Sequence, residues 1–350
     1  MRFKGQIMID ITEYSMPAEW EKHARTLISW PVKSSLANPQ NYEAIRDAYA
    51  ALVNAVCEFE PVTIIANEDT AEEPRSFCSS QADIITVPHD DAWIRDNGPI
   101  FVRNQNNELA GLDWRFNAWG EKYSPYYLDD ELTDALLLKF GIPCYFSNMI
   151  LEGGSIHVDG DGTLLTTEQC LLNWNRNSSY LKKEVEDELI KGFGVKKIIW
   201  LNNGIFGDET DGHVDNIACF AKPGTILLQT CNNMNDINHN ISVEARNILR
   251  RETDAAGRKP EVIEIEQPPA RKFNDRRLAL SYINFYLVNG GLILPVFGGD
   301  AAKTDENAAA ILKEAFPDRK IINFDGSKLI TEGGNVHCIT QQMPEGINAV

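Results

Sequence analysis

The chain has 350 residues, 43% of them hydrophobic and 24% charged, which excludes an intrinsically disordered or collagen-like protein. Asp and Glu outnumber Lys and Arg by 51 to 33, so the formal net charge is −18 at pH 7. Because nucleic acids and anionic membranes are bound mainly through Lys and Arg, this balance argues against either partner and suits a small cationic ligand. The longest apolar runs, such as residues 292–297, are too short for a membrane-spanning helix.

The seven cysteines are scattered along the chain without a CxxC pair, which indicates neither a zinc ribbon nor a dithiol redox motif. The first residues, MRFKGQIMIDITEYSMP, lack the apolar core of a secretory signal. We therefore expect reduced thiols and a cytoplasmic location. The sequence leaves the oligomeric state open.

A helix followed by a strand is predicted five times along the chain. Apolar residues at helical spacing predict a helix over residues 41–59, and the β-branched run at 62–65 predicts the strand after it. Further helices are expected over 129–140, 179–191, 242–251 and 305–316, with Ser179 capping the helix at 179–191. The strands after them are expected at 144–146, 197–201, 261–265 and 320–324.

A second strand-like segment is predicted after a loop in each repeat: residues 94–102, 155–158, 214–221, 282–288 and 335–340. Two of these regions are alike, Glu152-Gly-Gly-Ser-Ile-His-Val158 and Glu332-Gly-Gly-Asn-Val-His-Cys338. The repetition favours a closed or stacked array of one α/β unit, forming a single domain of residues 1–350. An ordinary doubly wound α/β sheet, which also alternates helices and strands, is the alternative.

Residues capable of catalysis gather in or beside these second segments. They are Asp96 in the first, Glu152 beside the second, His213 and Asp215 in the third, and Cys338 in the fifth. The fourth segment, at 281–286, carries no acid. If equivalent segments meet at one centre, these five side chains converge there. His213 and Asp215 are two residues apart, so we expect them to face one way in an extended segment.

Several chemistries could use such residues. A zinc site at His213 and the acids lacks any HExxH or CxxC motif. A thiol protease needs a Cys–His pair, but carboxylates in its pocket would oppose the oxyanion. A guanidinium substrate suits the set better, because two carboxylates can each accept a pair of its N–H donors while its central carbon faces a thiolate. Trp93, close to Asp96, could be a core residue or a flat wall for such a cation.

The chain resembles the guanidino-group-modifying superfamily, and more narrowly the agmatine deiminase branch of the bacterial peptidylarginine deiminase-like family. The resemblance spans nearly the whole chain in the family's order, through MPAEWEKHARTLISWP (16–31), DDAWIRDNGPIFV (90–102), FNAWGEKY (116–123), LEGGSIHVDGDGTLLTTEQCLLNWNRN (151–177), GDETDGHVDNIACFAKPG (207–224), SYINFYLVNGGLILPVFG (281–298) and EGGNVHC (332–338). Together these stretches are highly specific. The resemblance implies a five-bladed, pseudo-symmetric α/β-propeller of ββαβ-type units that needs no metal or organic cofactor.

The resemblance also implies roles for the residues. Cys338 would be the nucleophile and His213 the general acid and base, oriented by Glu152. Asp96 and Asp215 would bind the guanidinium. Further substrate-binding positions would be Trp93, Trp119 and Gly334. The implied reaction is hydrolysis of agmatine to N-carbamoylputrescine and ammonia through a covalent amidino-cysteine, on the route from arginine to putrescine.

The substrate is not settled by these residues, because the segment 271–277, RKFNDRR, is more basic than the family pattern. A residue such as Arg271 or Arg277 could bind the carboxylate of arginine, so a free- or peptidyl-arginine deiminase with the same chemistry is the main alternative. The others are an amidinotransferase, in which an amine replaces water, and an inactive propeller that binds polyamines. Ammonia release from a guanidine would distinguish a deiminase from an inactive binder.

Overall fold

The computed structural model describes residues 5–350 of the chain. Within that range the strands form five sheets of three or four strands and one separate two-stranded hairpin. Each of the five sheets contains the same unit, in which two antiparallel strands are followed by a helix and by a third strand parallel to the second. We number these units one to five in the order of their helices.

The units have the following bounds. Unit one takes its first strand from the far end of the chain and consists of Gln341–Pro344, His23–Ser29, helix Tyr42–Cys57 and Val62–Ala66, with an extra edge strand at Asp83–Thr86. Unit two consists of Ile100–Asn104, Leu109–Arg115, helix Tyr127–Phe140 and Cys144–Ile150, with an extra edge strand at Tyr14–Ser15. Unit three consists of Ile156–Val158, Thr163–Thr167, helix Lys182–Phe193 and Lys197–Leu201. Unit four consists of Ala218–Lys222, Thr225–Thr230, helix Ile237–Arg251 and Glu261–Glu266. Unit five consists of Tyr286–Val288, Gly291–Val296, helix Ala302–Ala315 and Lys320–Asp325.

Shorter elements connect the units. The hairpin pairs Lys272–Phe273 with Arg276–Arg277. Short helices lie at Pro74–Phe77, Ile94–Asn97, Glu168–Leu171 and Trp174–Asn177, and 3-10 turns at Pro39–Asn41, Gly153–Ser155, Val214–Asn216, Gly299–Ala301 and Leu329–Glu332. The turn at Ala118–Glu121 is left-handed, with positive φ at all four residues. None of the helices in residues 5–350 combines the length and apolar character needed to cross a bilayer.

The five predicted helix–strand pairs are confirmed, and the strand at 197–201 has the predicted bounds. The helix of unit four begins earlier than predicted, because Asp236 caps it by accepting a hydrogen bond from Asn238 N at 3.0 Å. The predicted cap at Ser179 is wrong. That helix begins at Lys182, and the Glu184 carboxylate accepts a hydrogen bond from Leu181 N at 2.7 Å.

Four of the second strand-like segments are only partly strands, and the fifth, 335–340, contains no strand because the strand there begins at Gln341, which corrects the prediction. Residues 94–97 form a helical turn and residues 214–216 a 3-10 turn, so the strands begin at Ile100 and Ala218. In these turns the backbone amides bond back along the chain, as from Ile217 N to Val214 O at 2.9 Å, and cannot pair with another strand. The turns therefore precede the first strand of a unit and hold their side chains at the N-terminal end of that strand.

The apolar core consists mainly of five clusters of buried residues, each shared by two units. Clusters join units one and two, two and three, three and four, and four and five, through pairs such as Leu27 with Phe101 and Leu165 with Phe220. A further cluster joins unit five to unit one, placing Tyr286 and Val288 with Ile28 and Ile64. Each unit therefore buries apolar side chains against two other units.

The two ends of the chain meet in the sheet of unit one. The strand Gln341–Pro344 pairs antiparallel with His23–Ser29, which also pairs parallel with Val62–Ala66. Just beyond it, Glu345 N donates a hydrogen bond to Lys22 O at 2.8 Å. Unit one is therefore complete only when the C-terminal strand is in place.

We expect Met343→Ala to lower the free energy of unfolding by about 2–5 kcal/mol, because Met343 is fully buried in the closing strand and the change leaves a cavity. Ile347→Ala is the matched control, since Ile347 lies four residues away and is 73% exposed. Urea unfolding followed by circular dichroism measures both. Equal stability of the two variants would mean that the C-terminal strand folds independently of the rest.

Candidate active site

The five predicted catalytic residues come together in the structure. Asp96 lies in the helical turn before unit two, Glu152 immediately before the turn of unit three, and His213 and Asp215 at the turn of unit four. Cys338 precedes the closing strand of unit one. His213 Nδ1 is 3.8 Å from Asp96 Oδ1, His213 Nε2 is 3.8 Å from Glu152 Oε2, and Cys338 Sγ is 3.8 Å from Asp215 Oδ2.

A pocket leads from the surface to this cluster and has a volume of about 530 Å³ including its open mouth. Asp96 and Cys338 line it, together with the predicted binding residues Trp93, Trp119 and Gly334. The two tryptophan rings meet edge to face at 6.4 Å. His213 and Glu152 have no exposed surface and lie buried beside the pocket. The charged side chains that line it within residues 5–350 are all acidic: Asp91, Asp96, Glu209 and Glu332.

The two similar Glu-Gly-Gly sequences contribute a glycine each where a side chain would block the site. A Cβ at Gly154 would lie 2.6 Å from His213 Nδ1 and 2.9 Å from Asp96 Oδ1 and from Asp215 Oδ2. A Cβ at Gly334 would lie 3.1 Å from Cys338 Sγ and 2.5 Å from the Trp93 ring. The absence of these two Cβ atoms leaves room between the reactive groups.

Asp96 is buried and bonded only to neutral donors. Its Oδ1 accepts a hydrogen bond from Gly154 N at 3.0 Å, and its Oδ2 accepts one from Trp119 Nε1 at 2.9 Å. Burial raises the pKa of Asp96 to about 6, because His213 opposes this only in part and the carboxylates of Asp215 and Glu152 add to it. The left-handed turn that carries Trp119 aims its indole N–H at this carboxylate.

His213 is placed between two carboxylates without bonding to either. Burial lowers the pKa of His213, but the nearby carboxylates, first that of Asp96, outweigh burial and hold the pKa well above its ordinary value. Neither ring nitrogen has a hydrogen-bond partner within residues 5–350. His213 and Asp215 are both in the site, but a 3-10 turn at Val214–Asn216 brings them there and not the extended segment we expected.

Glu152 is paired with an arginine that the sequence did not indicate. Arg176 Nε donates to Glu152 Oε1 at 2.5 Å, and both side chains are fully buried. Arg176 also reaches Asp211 Oδ2 at 3.0 Å and Thr210 O at 3.1 Å. Although burial opposes it, the Arg176 cation lowers the pKa of Glu152 to about 2, so this carboxylate stays charged beside His213.

Cys338 is contacted by an asparagine that was also missed. Asn284 Nδ2 is 3.3 Å from Cys338 Sγ, and Asn284 Oδ1 accepts a hydrogen bond from His337 N at 3.1 Å, which fixes the amide. Burial, with the charges of Asp215 and Asp96, holds the pKa of the Cys338 thiol well above its ordinary value. Asn284 lies in the segment 281–286, which carries no acid, so its residue type did not single it out. The one sequence signal was its place ahead of unit five, which is equivalent to the places of the predicted catalytic residues ahead of other units.

A metal ion is a poor fit to these residues. The possible ligand atoms of Glu152, Cys170 and His213 lie within 4.8 Å of one another. However, Arg176 already donates to Glu152, so a divalent cation there would face a buried guanidinium.

The three arginines of the basic segment 271–277 all form ion pairs. Arg271 pairs with Asp300 and Arg277 pairs with Asp236, both away from the pocket. Arg276 pairs with Glu209, which lines the pocket mouth. Only one of these arginines therefore approaches the pocket, and its charge is already balanced.

We expect Arg176→Met to lower the free energy of unfolding by about 3–5 kcal/mol, because the Glu152 charge would stay buried without its partner. Lys183→Met is the control, since Lys183 forms an exposed ion pair with Asp187 and its loss should leave the unfolding midpoint unchanged. Urea titration gives both values. If Arg176→Met unfolds at the wild-type midpoint, Glu152 does not depend on this pair.

Known proteins resemble this chain over almost its full length. Residues 15–344 match the family of Porphyromonas-type peptidyl-arginine deiminases. The agmatine deiminase of Stutzerimonas stutzeri is 40% identical, with 95% of each chain covered. The solved agmatine deiminase of Enterococcus faecalis has a TM-score of 0.91 at 31% identity and covers 98% of this chain and 99% of its own. A substrate-bound C. jejuni agmatine deiminase has a TM-score of 0.87 at 32% identity and covers 99% of both chains. This chain therefore belongs to the Porphyromonas-type peptidyl-arginine deiminase family.

Proposed function

We propose that this protein hydrolyses agmatine to N-carbamoylputrescine and ammonia through a covalent amidino-cysteine. The observation that carries the proposal is the shared site of a thiol, an imidazole and three carboxylates, with Cys338 and Asp96 lining an acidic pocket. Relatives named agmatine deiminase cover this chain at about 40% identity, which supports the same assignment.

Asp96 and Asp215 are assigned to the guanidinium. Asp215 Oδ1 is buried without a hydrogen-bond partner within residues 5–350 and is ready to accept an N–H. The two carboxylates share one space, since Asp96 Oδ1 and Asp215 Oδ2 both approach the position that a Cβ at Gly154 would take. Two carboxylates at this spacing can hold a planar cation with five N–H donors by charge-assisted hydrogen bonds. Trp93 supplies a flat wall beside them.

The first chemical step forms the covalent intermediate. The substrate cation offsets the carboxylates that keep the Cys338 thiol protonated, so the thiol loses its proton to solvent as the substrate binds. Cys338 Sγ then attacks the central guanidinium carbon. His213 is protonated at this stage and donates its proton to the departing nitrogen, so the C–N bond breaks and ammonia leaves. Glu152, charged through Arg176, supports the His213 cation beforehand.

The second step releases the product. His213, now neutral, takes a proton from a water molecule that occupies the place of ammonia. The water oxygen attacks the carbon, the C–S bond breaks with its electron pair going to Cys338 Sγ, and the remaining proton of that water passes to solvent. A neutral ureido product and the Cys338 thiolate result, and the thiolate takes up a proton from solvent as the product departs. Asn284 Nδ2, 3.3 Å from Sγ, donates to that thiolate in both steps.

The pocket mouth favours an amine at the far end of the substrate over a carboxylate. Glu209 and Glu332 line the mouth, and Glu332 Oε1 is buried without a hydrogen-bond partner within residues 5–350. Arg276, the one arginine of segment 271–277 that approaches the pocket, is paired with Glu209. Among residues 5–350 the mouth thus has no free cation for the carboxylate of free arginine, and this supports agmatine as the substrate.

We also propose that the five units close into a five-bladed α/β-propeller and form one domain of residues 1–350. The five shared apolar clusters support this, because they link the units in sequence order and link unit five to unit one. A cytoplasmic location fits the scattered cysteines and the small cationic substrate.

Ammonia release from agmatine, arginine, a blocked arginyl peptide and dimethylarginine tests the substrate. We expect release from agmatine alone, because the pocket is lined by carboxylates from floor to mouth. Release from arginine or the peptide would reassign the substrate within the same chemistry. Absence of ammonia release from all four guanidines would overturn the proposed function.

Cys338→Ser should lower ammonia release on the order of 10³-fold or more, because a hydroxyl replaces the nucleophilic thiol. Cys78→Ser is the control, since Cys78 lies in unit one outside the site. In the unmodified protein, 2-chloroacetamidine, a cation, should alkylate Cys338 faster than neutral iodoacetamide does, as read by peptide mass spectrometry. Activity retained in Cys338→Ser would remove the covalent step.

The value of kcat/KM should fall about tenfold per pH unit below about pH 6, because Asp96 has a pKa of about 6 and binds the guanidinium only as a carboxylate. The direction follows from the raised pKa: protonation at lower pH removes a charge that the substrate needs. Asp96→Asn should have low kcat/KM throughout, whereas Asp83→Asn, at an exposed carboxylate, should keep the wild-type profile. A flat profile down to pH 4.5 would contradict this role of Asp96.

A further inference from the structure

A second group of buried charged and titratable residues lies directly behind the site. Glu19, Arg95, His157 and His337 surround a small cavity and are each at most 8% exposed. They come from four different segments of the chain, and the proposed reaction uses none of them. Their contacts lead to Asp215, which the reaction does use.

His337 connects two carboxylates. Its Nδ1 lies 2.9 Å from Asp215 Oδ2, and its Nε2 lies 3.0 Å from Glu19 Oε2. Carboxylates only accept hydrogen bonds when charged, so both ring nitrogens of His337 must donate, and the ring is an imidazolium. Glu19 is fixed in turn, because its Oε1 accepts a hydrogen bond from Leu287 N at 3.0 Å.

The other ionisable groups that face His337 and Glu19 do not place a positive charge against Asp215. His157 Nδ1 accepts from Phe220 N at 3.3 Å, so its proton is on Nε2, 3.9 Å from Glu19 Oε2, and burial lowers the pKa of His157 to about 4. Arg95 donates from Nε to His337 O at 3.2 Å and from Nη1 to Gln342 Oε1 at 2.8 Å. His337 is therefore the cation that contacts Asp215 directly.

We propose that Glu19 and His337 are positioning residues that hold Asp215 as a charged acceptor for the guanidinium. His337 ties Oδ2 of Asp215 and leaves Oδ1 for the substrate. Glu19 acts through His337, by making the cation stable in a buried place. This inference rests on the proposed function of the site.

A comparison of Asp215 with Asp96 shows the effect of Glu19 and His337. Asp96 has only neutral donors in contact and a pKa raised to about 6. Asp215 is equally buried but contacts an imidazolium. The pKa of His337 is itself raised, because Glu19 and Asp215 outweigh burial and the nearby Arg95. Asp215 therefore has in direct contact the positive charge that Asp96 lacks.

One test does not depend on activity. Nitrogen-15 NMR of histidine-labelled protein, which has six histidines, should show the His337 ring protonated at both nitrogens at neutral pH. Its signals are assigned by their loss in His337→Asn. In Glu19→Gln the ring should lose a proton at lower pH than in the wild type. A neutral His337 ring in the wild type would overturn the proposal.

The second test follows the acid limb of the kcat/KM profile for agmatine. His337→Asn keeps a neutral donor near Asp215 Oδ2 but removes the positive charge that contacts this carboxylate. We expect the acid limb to steepen and to move up by about 1 pH unit or more, as for loss of an adjacent opposite charge. Glu19→Gln should move it in the same direction by less.

His157→Asn is the matched control, because His157 also faces Glu19 but does not contact Asp215. It should leave the position and slope of the acid limb unchanged. A purely structural role for His337 would lower the rate at every pH without moving the limb, and that result would overturn the proposal. If the wild type releases no ammonia from any guanidine, the proposed function fails, while the NMR result still decides whether His337 is held as a cation.

Discussion

The burial of several carboxylates around one point is the constraint on which the rest of the site depends. Asp96, Glu152 and Asp215 are at most 5% exposed and lie around a single imidazole and thiol. Charges buried this close repel one another and lose their hydration, so each needs a cation or must take up a proton. Arg176 serves Glu152, and His337 contacts Asp215. His213 lies 3.8 Å from Asp96 and does not form a hydrogen bond with it, so the Asp96 charge is only partly offset and its pKa is raised.

The repeated units explain how such a cluster can be assembled. The five predicted catalytic side chains lie on turns or loops ahead of the first strands of four units, with His213 and Asp215 together ahead of unit four. The five apolar clusters fix the units against one another. The turns are short, so a side chain has little freedom relative to its strand. The cost is that residues such as Asp96 and Cys338, far apart in the chain, reach the site only when the whole ring of contacts forms.

Much of the fold could be predicted from the sequence because helical periodicity and β-branched runs are local signals. The turns before the first strands could not, because the alternation of polar and apolar residues around Asp96 and Asp215 is the same in a strand and in a tight turn followed by one. Cys338, His213 and Glu152 were predicted from their residue types and motifs, and the structure places them in one cluster. Arg176, Asn284 and Glu19 were missed, because what distinguishes them is contact with residues distant in sequence. Glu19 and His337, for example, are 318 positions apart.

The incompletely offset negative charge at Asp96 affects which ligands can react. In the resting protein the carboxylates hold the Cys338 thiol in its protonated, weakly nucleophilic form. A guanidinium that enters between Asp96 and Asp215 supplies the missing positive charge and presents its electrophilic carbon at the same time. A neutral amide or an anionic ligand of the same size would fit the pocket without offsetting the carboxylates, and the thiol would stay protonated. The negative charge that raises the pKa of the Cys338 thiol therefore restricts the proposed chemistry to cationic ligands.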